Sequence, residues 1–290
     1  MFRRIWVLAL GLIFFAQLSF AAEPATITVD EQQRTYLITQ LGELGPKPTI
    51  IMLHGFGGNA LVDSKASGLA RLAPQAGFVA VFPNGLAHAW DHFPDGQVPA
   101  SFQQQMQKSG VPVGNDVDFI KALVADLISR NIADANRIYI AGFSAGGFMA
   151  MRMVCVAPEL FAAAALISSS MTLDTASDCH SAKPMPIIII KGTADTTVPY
   201  NGGPVAHAAS TVWSTDQLTS YFTQLDGCDQ NAVERSDFPN PGQKNIEVKS
   251  WTKCSNGPVT LYTVEGGAHA IYKVPPPAET LWNFFKAHAR

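Results

Sequence analysis

The chain has 290 residues, 47% hydrophobic and 15% charged, with a formal net charge of −3. This is an ordinary globular composition with ample apolar surface for a sizeable core. It offers no long basic run, so a nucleic-acid partner has no electrostatic support and is not expected. No composition break, linker or internal repeat divides the chain, and one large domain is expected.

Taken in order, the first residues read as an export signal. Arg3 and Arg4 precede an almost unbroken apolar stretch over residues 5–18, and Ser19-Phe20-Ala21 offers small residues at the −3 and −1 positions. Cleavage after Ala21 would remove residues 1–21 and leave a domain of residues 22–290. The stretch is short for a membrane span, and the mature N-terminus near Ala22 has no cysteine for lipidation. The expectation is release to the periplasm or medium, with no stable membrane anchor.

Residues 25–29 and 35–39 alternate in polarity and predict an opening antiparallel pair. Residues 48–53 form a continuous apolar run, as for a strand covered on both faces, leading into His54-Gly55-Phe56-Gly57-Gly58. A helix is expected over 64–76, ending at Gly77, and a strand over 78–82, stopped by Pro83-Asn84-Gly85. Residues 86–114 read as one long irregular stretch, and loops of that length are usually functional. A helix follows to about residue 130, capped by Asn115 or Asp116, with Val117, Ile120, Leu123, Val124 and Leu127 on one face. Further strands are expected over 137–141, 161–167, 186–190 and 259–264, with helices over 147–155, 214–226 and 278–289. Residues 228–257 read as a polar insertion. Strands alternating with helices give an α/β class, a mostly parallel, doubly wound sheet with helices on both faces.

The residues that suggest chemistry fall after the expected strands, where open α/β sheets place their sites. Gly142-Phe143-Ser144-Ala145-Gly146 stands between a strand and a helix. Such a turn presents its serine at a sharp elbow, and the N–H of Ala145 lies at a helix N-terminus where negative charge is favoured. A serine nucleophile needs a base, and the base needs a carboxylate to fix its tautomer. Asp195, after strand 186–190, and His269, after strand 259–264, complete the order Ser…Asp…His of α/β-hydrolases. Asp174 is the rival acid. The N–H groups of Ala145 and Phe56 are the candidate oxyanion donors, with His54 shaping the Phe56 loop. Trp90 and His92 are candidate walls of a substrate cleft. The pair His88 and His92 suggests a metal only on a helix, which the flanking Pro83 and Pro94 disfavour, so neither metal nor other cofactor is expected.

Export also sets how Cys155, Cys179, Cys228 and Cys254 are read. They lack Cys-x-x-Cys spacing, and an even number in an oxidising compartment favours disulfides. Of the three connectivities, Cys155–Cys179 with Cys228–Cys254 closes two loops of moderate size and is preferred over the others and over four free thiols.

The blocks Leu53-His-Gly-Phe-Gly-Gly58, Gly142-Phe-Ser-Ala-Gly146, Gly192-Thr-Ala-Asp-Thr-Thr-Val-Pro-Tyr200 and Val264-Glu-Gly-Gly-Ala-His269 resemble secreted esterases of the polyhydroxybutyrate depolymerase and feruloyl esterase group of α/β-hydrolases, including its LpqC-like branch. Asp116-Val-Asp-Phe-Ile120 fits the same pattern, and the resemblance covers roughly residues 26–289. It implies an α/β-hydrolase fold, a Ser144–Asp195–His269 triad, and cofactor-independent hydrolysis of feruloyl-type or hydroxyalkanoate esters. The chain departs from that group at Lys191, where a histidine is common, and at Ala270-Ile271, where Trp-Pro is common. A serine peptidase of the same fold and a non-catalytic hydrolase-like binding protein are the alternatives.

Overall fold

The computed structural model describes residues 22–39, 45–239 and 245–290. The expected leader over residues 1–21 lies outside them. Eight of the described strands and six of the helices belong to the alternating scaffold, and the rest fill segments that looked irregular.

In chain order, β1 (Ala22–Val29) and β2 (Gln32–Thr39) form the expected antiparallel hairpin. Then come β3 (Lys47–Leu53), α1 (Ala60–Ala66), α2 (Leu69–Ala76), β4 (Val79–Pro83), α3 (Ala100–Lys108), α4 (Asp116–Ser129), β5 (Ala133–Phe143) and α5 (Ala145–Val156). They are followed by β6 (Ala163–Ile167), α6 (Leu173–Ser177), β7 (Ile187–Gly192), the short hairpin β8 (Gly203–Pro204) and β9 (Thr211–Val212), and α7 (Thr215–Leu225). The chain ends with β10 (Val233–Asp237), β11 (Ile246–Trp251), β12 (Val259–Val264) and α8 (Pro277–Phe285).

Ten strands make one sheet in the order β1-β2-β4-β3-β5-β6-β7-β12-β11-β10. The six central strands are parallel, and an antiparallel pair closes each edge. The two faces are read directly from the period-2 alternation of strand side chains. Ile51, Leu53, Ile138, Ile140, Ile187 and Ile189 point to one core, covered by α4, α5 and α7. Their neighbours Ile50, Met52, Tyr139, Ala141, Ile188 and Ile190 point to the other, covered by α1, α2 and α8. The strand runs look unbroken because both faces are buried.

Several local expectations are corrected. The single helix over 64–76 is two helices, parted at Gly68, whose φ of 71° an L side chain rarely adopts. Residues 86–114 hold a 3₁₀ turn (Leu86–His88) and the helix α3, whose polar Gln-rich face obscured its period. Residues 228–257 are not a free insertion: β10 and β11 extend the sheet. Both cysteine pairs are sequential, Cys155–Cys179 and Cys228–Cys254. The first ties the end of α5 to the segment after α6, and the second closes the edge-strand excursion.

A buried ion pair fastens the hairpin to the parallel core. Arg34 of β2 donates to Asp116 at the start of α4 at 2.5 Å, and its guanidinium lies 3.9 Å from the centre of the Phe119 ring. The other oxygen of Asp116 accepts the Asp91 N–H at 2.7 Å. One carboxylate thereby joins β2, α4 and the loop after β4. Asp116→Ala leaves Arg34 buried without its counter-charge and is expected to cost about 3–5 kcal/mol, whereas the apolar double variant Arg34→Met/Asp116→Leu should recover much of that loss. Urea unfolding followed by circular dichroism checks both.

Candidate active site

Four strand ends meet at one edge of the parallel sheet. Leu53 pairs with Gly142, Phe143 with Ile167, and Val264 with Gly192, so the loops after β3, β5, β7 and β12 emerge side by side. Ser144 sits in the turn between β5 and α5 with φ 53° and ψ −121°. Its N–H donates to Ile167 O at 3.0 Å, and its carbonyl accepts the Gly147 N–H at 2.9 Å and the Ser169 hydroxyl at 2.8 Å. The flanking glycines are steric requirements. A Cβ on Gly142 would lie 2.2 Å from Gly146 O, and one on Gly146 would lie 2.1 Å from Leu53 O.

The structure brings Ser144, His269 and Asp195 into one hydrogen-bonded chain. His269 Nε2 is 2.9 Å from Ser144 Oγ, and His269 Nδ1 is 2.9 Å from Asp195 Oδ2. A carboxylate only accepts, so Nδ1 carries the proton and Nε2 receives the serine hydroxyl. Asp195 is buried, and its second oxygen accepts the N–H groups of Thr197 and Val198, each at 2.9 Å. These bonds fix the orientation of the carboxylate. Asp174, the rival acid, lies in α6 and has no bond to His269.

Beneath this chain Lys191 is fully buried, donating from Nζ to Ser169 O at 3.2 Å. Burial lowers its pKa to about 8, against the opposing pull of Asp195. Lys191, Ser169 and Ser144 thus form a second chain of contacts behind the elbow.

His54 shapes the neighbouring loop, as its sequence context suggests. Its Nε2 accepts the Gly85 N–H at 3.0 Å, so Nδ1 carries the proton and donates to Gly55 O at 2.8 Å. Burial lowers its pKa to about 4, so the ring is neutral in the roles these bonds require. The loop is also held by Trp90, whose indole N–H donates to His54 O at 2.8 Å, and by Gly57 N–H to His88 O at 2.8 Å. The N–H groups of Phe56 and Ala145 have no acceptor among the described residues. Both residues face the same cavity as Ser144.

That cavity has a volume of about 360 Å³. One wall comes from the loop after β4 and from α3: Trp90, His92, Phe93, Phe102 and Gln105. Val205 to Ser210, the loop of the β8–β9 hairpin, and Phe148 of α5 also line the cavity. Trp90 and His92, the candidate cleft residues, both line this cavity. His88 turns away to bond Gly58 O, while His92 approaches Ser210, so the two rings do not converge. The hairpin loop escaped sequence reading because two-residue strands have no period and Ala206-His207-Ala208-Ala209 has no polarity pattern. The described residues of 228–257 line no part of the cavity.

With this geometry in view, comparison with known proteins is informative. Residues 35–232 match the sequence profile of the phospholipase/carboxylesterase family. The chain belongs to that family. It shares 28% identity over 233 residues with feruloyl esterase B of Piromyces equi, covering 77% of this chain and 39% of that one. It shares 28% over 234 residues with NocK of Nocardia uniformis subsp. tsuyamanensis, whose name carries the word esterase, covering 77% and 65% respectively. The chain thus spans less than two-thirds of the length of either relative. The acetyl xylan esterase from Aspergillus awamori superposes with a TM-score of 0.64 at 19% identity, covering 91% of this chain and 99% of that one. The family fold is the α/β-hydrolase fold, as the residues suggested.

The buried histidine under the loop makes a pH-dependent contribution. His54 folded titrates at about 4, below its ordinary 6.5, so the unfolded chain binds the extra proton first as pH falls. Its contribution is complete above pH 6.5 and is lost as pH falls toward 4. The stability advantage of wild type over His54→Asn should shrink by on the order of 3 kcal/mol between pH 7 and pH 4, measured by urea unfolding of both proteins at each pH.

Proposed function

We propose that the protein is a serine carboxylesterase in which Ser144, His269 and Asp195 are the catalytic triad. The observation that carries this reading is the continuous hydrogen-bonded chain from Asp195 through His269 to Ser144, ending at a strained elbow that opens into the cavity. Ser144 Oγ attacks the ester carbonyl carbon as its proton passes to His269 Nε2, and Asp195 stabilises the imidazolium. Charge on the carbonyl oxygen is met by the N–H groups of Ala145 and Phe56. Collapse of the tetrahedral species breaks the carbon–oxygen bond, and His269 returns the proton to the departing alcohol. Water then gives its proton to His269, attacks the acyl-enzyme and releases the acid, which restores Ser144.

A cavity walled by Trp90, Phe93, Phe102 and Phe148 suits an aromatic or short hydroxyalkanoyl group, and relatives named feruloyl esterase support the first. Two disulfides favour work in an oxidising compartment, in keeping with an export signal over residues 1–21. Among the described residues no helix is long and apolar enough to cross a membrane.

Nitrophenyl acetate and butyrate test the reading. Ser144→Ala should lose activity by about 10³-fold or more, and Asp195→Asn by about 10⁴-fold. Phe56→Ala should keep most of the activity, because its backbone rather than its ring does the work. A fluorophosphonate should label Ser144, located by peptide mass spectrometry. An inactive wild type, or a Ser144→Ala protein as fast as wild type, refutes the proposal.

A further inference from the structure

The cavity lining carries a buried polar pair that the ester chemistry does not use. His92 and Ser210 both line the cavity and are almost completely buried, at 6% and 3% exposure. His92 packs against Phe93, with ring centres 4.2 Å apart, and against Phe148 at 5.3 Å. Burying an imidazole and a hydroxyl among phenylalanines is costly unless their hydrogen-bonding capacity is used.

The hydrogen bonds decide which atom does what. His92 Nδ1 is 3.1 Å from Trp90 O, and a carbonyl oxygen can only accept. Nδ1 therefore carries the proton. Burial lowers the pKa of His92 to about 4, so the ring is neutral and Nε2 has an unprotonated lone pair. The recorded partner of Nε2 is Ser210 Oγ at 3.4 Å, at the long end of the hydrogen-bond range. The pair thus offers one acceptor, His92 Nε2, beside one rotatable donor, the Ser210 hydroxyl. A substrate hydroxyl is the complement: it can donate to the first and accept from the second. An ether oxygen can only accept, and a C–H group can do neither.

Resting on the esterase reading of Ser144, the geometry points to His92 as a specificity-determining residue that accepts a hydrogen bond from a hydroxyl on the ester's acyl group, with Ser210 as its companion donor. The recognised chemistry is an acyl group bearing a hydroxyl away from the carbonyl. A phenolic or an aliphatic hydroxyl could supply it, and the test separates them.

Methyl esters leave the acyl group as the occupant of the cavity. The first pair is methyl 4-hydroxycinnamate against methyl cinnamate, with methyl 4-methoxycinnamate as the ether control. The second is methyl 3-hydroxybutyrate against methyl butyrate. Wild type should prefer the hydroxylated member of at least one pair by about tenfold or more in kcat/KM, and should not extend that preference to the methoxy ester. His92→Phe should bring the ratio to near one, and Ser210→Ala should retain most of it. Taking the ratio within each variant divides out any general effect on turnover. The pair that responds identifies the hydroxyl. Should His92→Phe not fold, the nitrogen NMR signal of His92 Nε2 in Ser144→Ala protein should move on adding the preferred hydroxylated ester and not its unsubstituted partner. A wild-type ratio near one in both pairs, a preference retained by His92→Phe, or an unmoved Nε2 signal overturns the inference. Absence of Ser144-dependent turnover of every ester overturns the esterase reading instead, so the two failures are distinct.

Discussion

The structure depends on holding a serine where the backbone resists it. A non-glycine residue at φ 53° and ψ −121° costs on the order of 1–3 kcal/mol, and it persists only where the surroundings over-determine it. Here the surroundings are both faces of the molecule. The strand below Ser144 is paired on each side by β3 and β6, and α5 above it is packed almost without exposure from Gly146 to Cys155. The elbow closes to a point where Gly146 touches the carbonyl of Leu53, in the strand beside it. The strain at Ser144 and the loop after β3 are therefore coupled by contact, and neither can relax alone.

Around that point the protein buries polar groups in chosen protonation states. His54 and His92 are held neutral by desolvation, each with the tautomer set by a backbone carbonyl at Nδ1. Asp91, on the cavity loop, is pushed up to about 7 by burial and by the nearby Asp116 charge. Asp195 is buried and receives two backbone N–H groups and the His269 ring. Residues of the same type thus acquire different duties from their hydrogen bonds, and burial alone would not distinguish them.

Much of this was legible in the sequence, for an identifiable reason. Glycine-flanked polar residues directly after β-rich runs mark Ser144, Asp195, His269 and the Phe56 loop, because a parallel sheet must put its turns at strand ends. The alternating cores were legible too, since Ile187 to Ile190 can only be buried on both sides. The rest of the cavity was not. Helix α3, with Gln103, Gln104 and Gln105 in its middle, buries only Met106 and shows no stripe. The 205–210 loop depends on a contact with His92, far away in the chain, which no local pattern encodes. The 228–257 segment misled for the opposite reason. Its polar character belongs to a sheet edge, where one side of each strand meets water.

That edge carries a consequence for how the molecule behaves in company. Among the described residues the ten-stranded sheet ends in β10, and such an edge strand offers backbone groups along one side for pairing. Its residues Glu234, Arg235, Ser236 and Asp237 are all exposed. For a second sheet to add here, the charged side chains of Glu234, Arg235 and Asp237 would have to surrender their water in register with their copies. The Cys228–Cys254 bridge keeps this strand folded back onto β11, so the charged border stays on the rim instead of fraying to uncover the apolar residues behind it. The edge therefore acts as a built-in guard against sheet-to-sheet aggregation, a property of value at high local concentration and independent of whatever occupies the cavity on the far side of the parallel core.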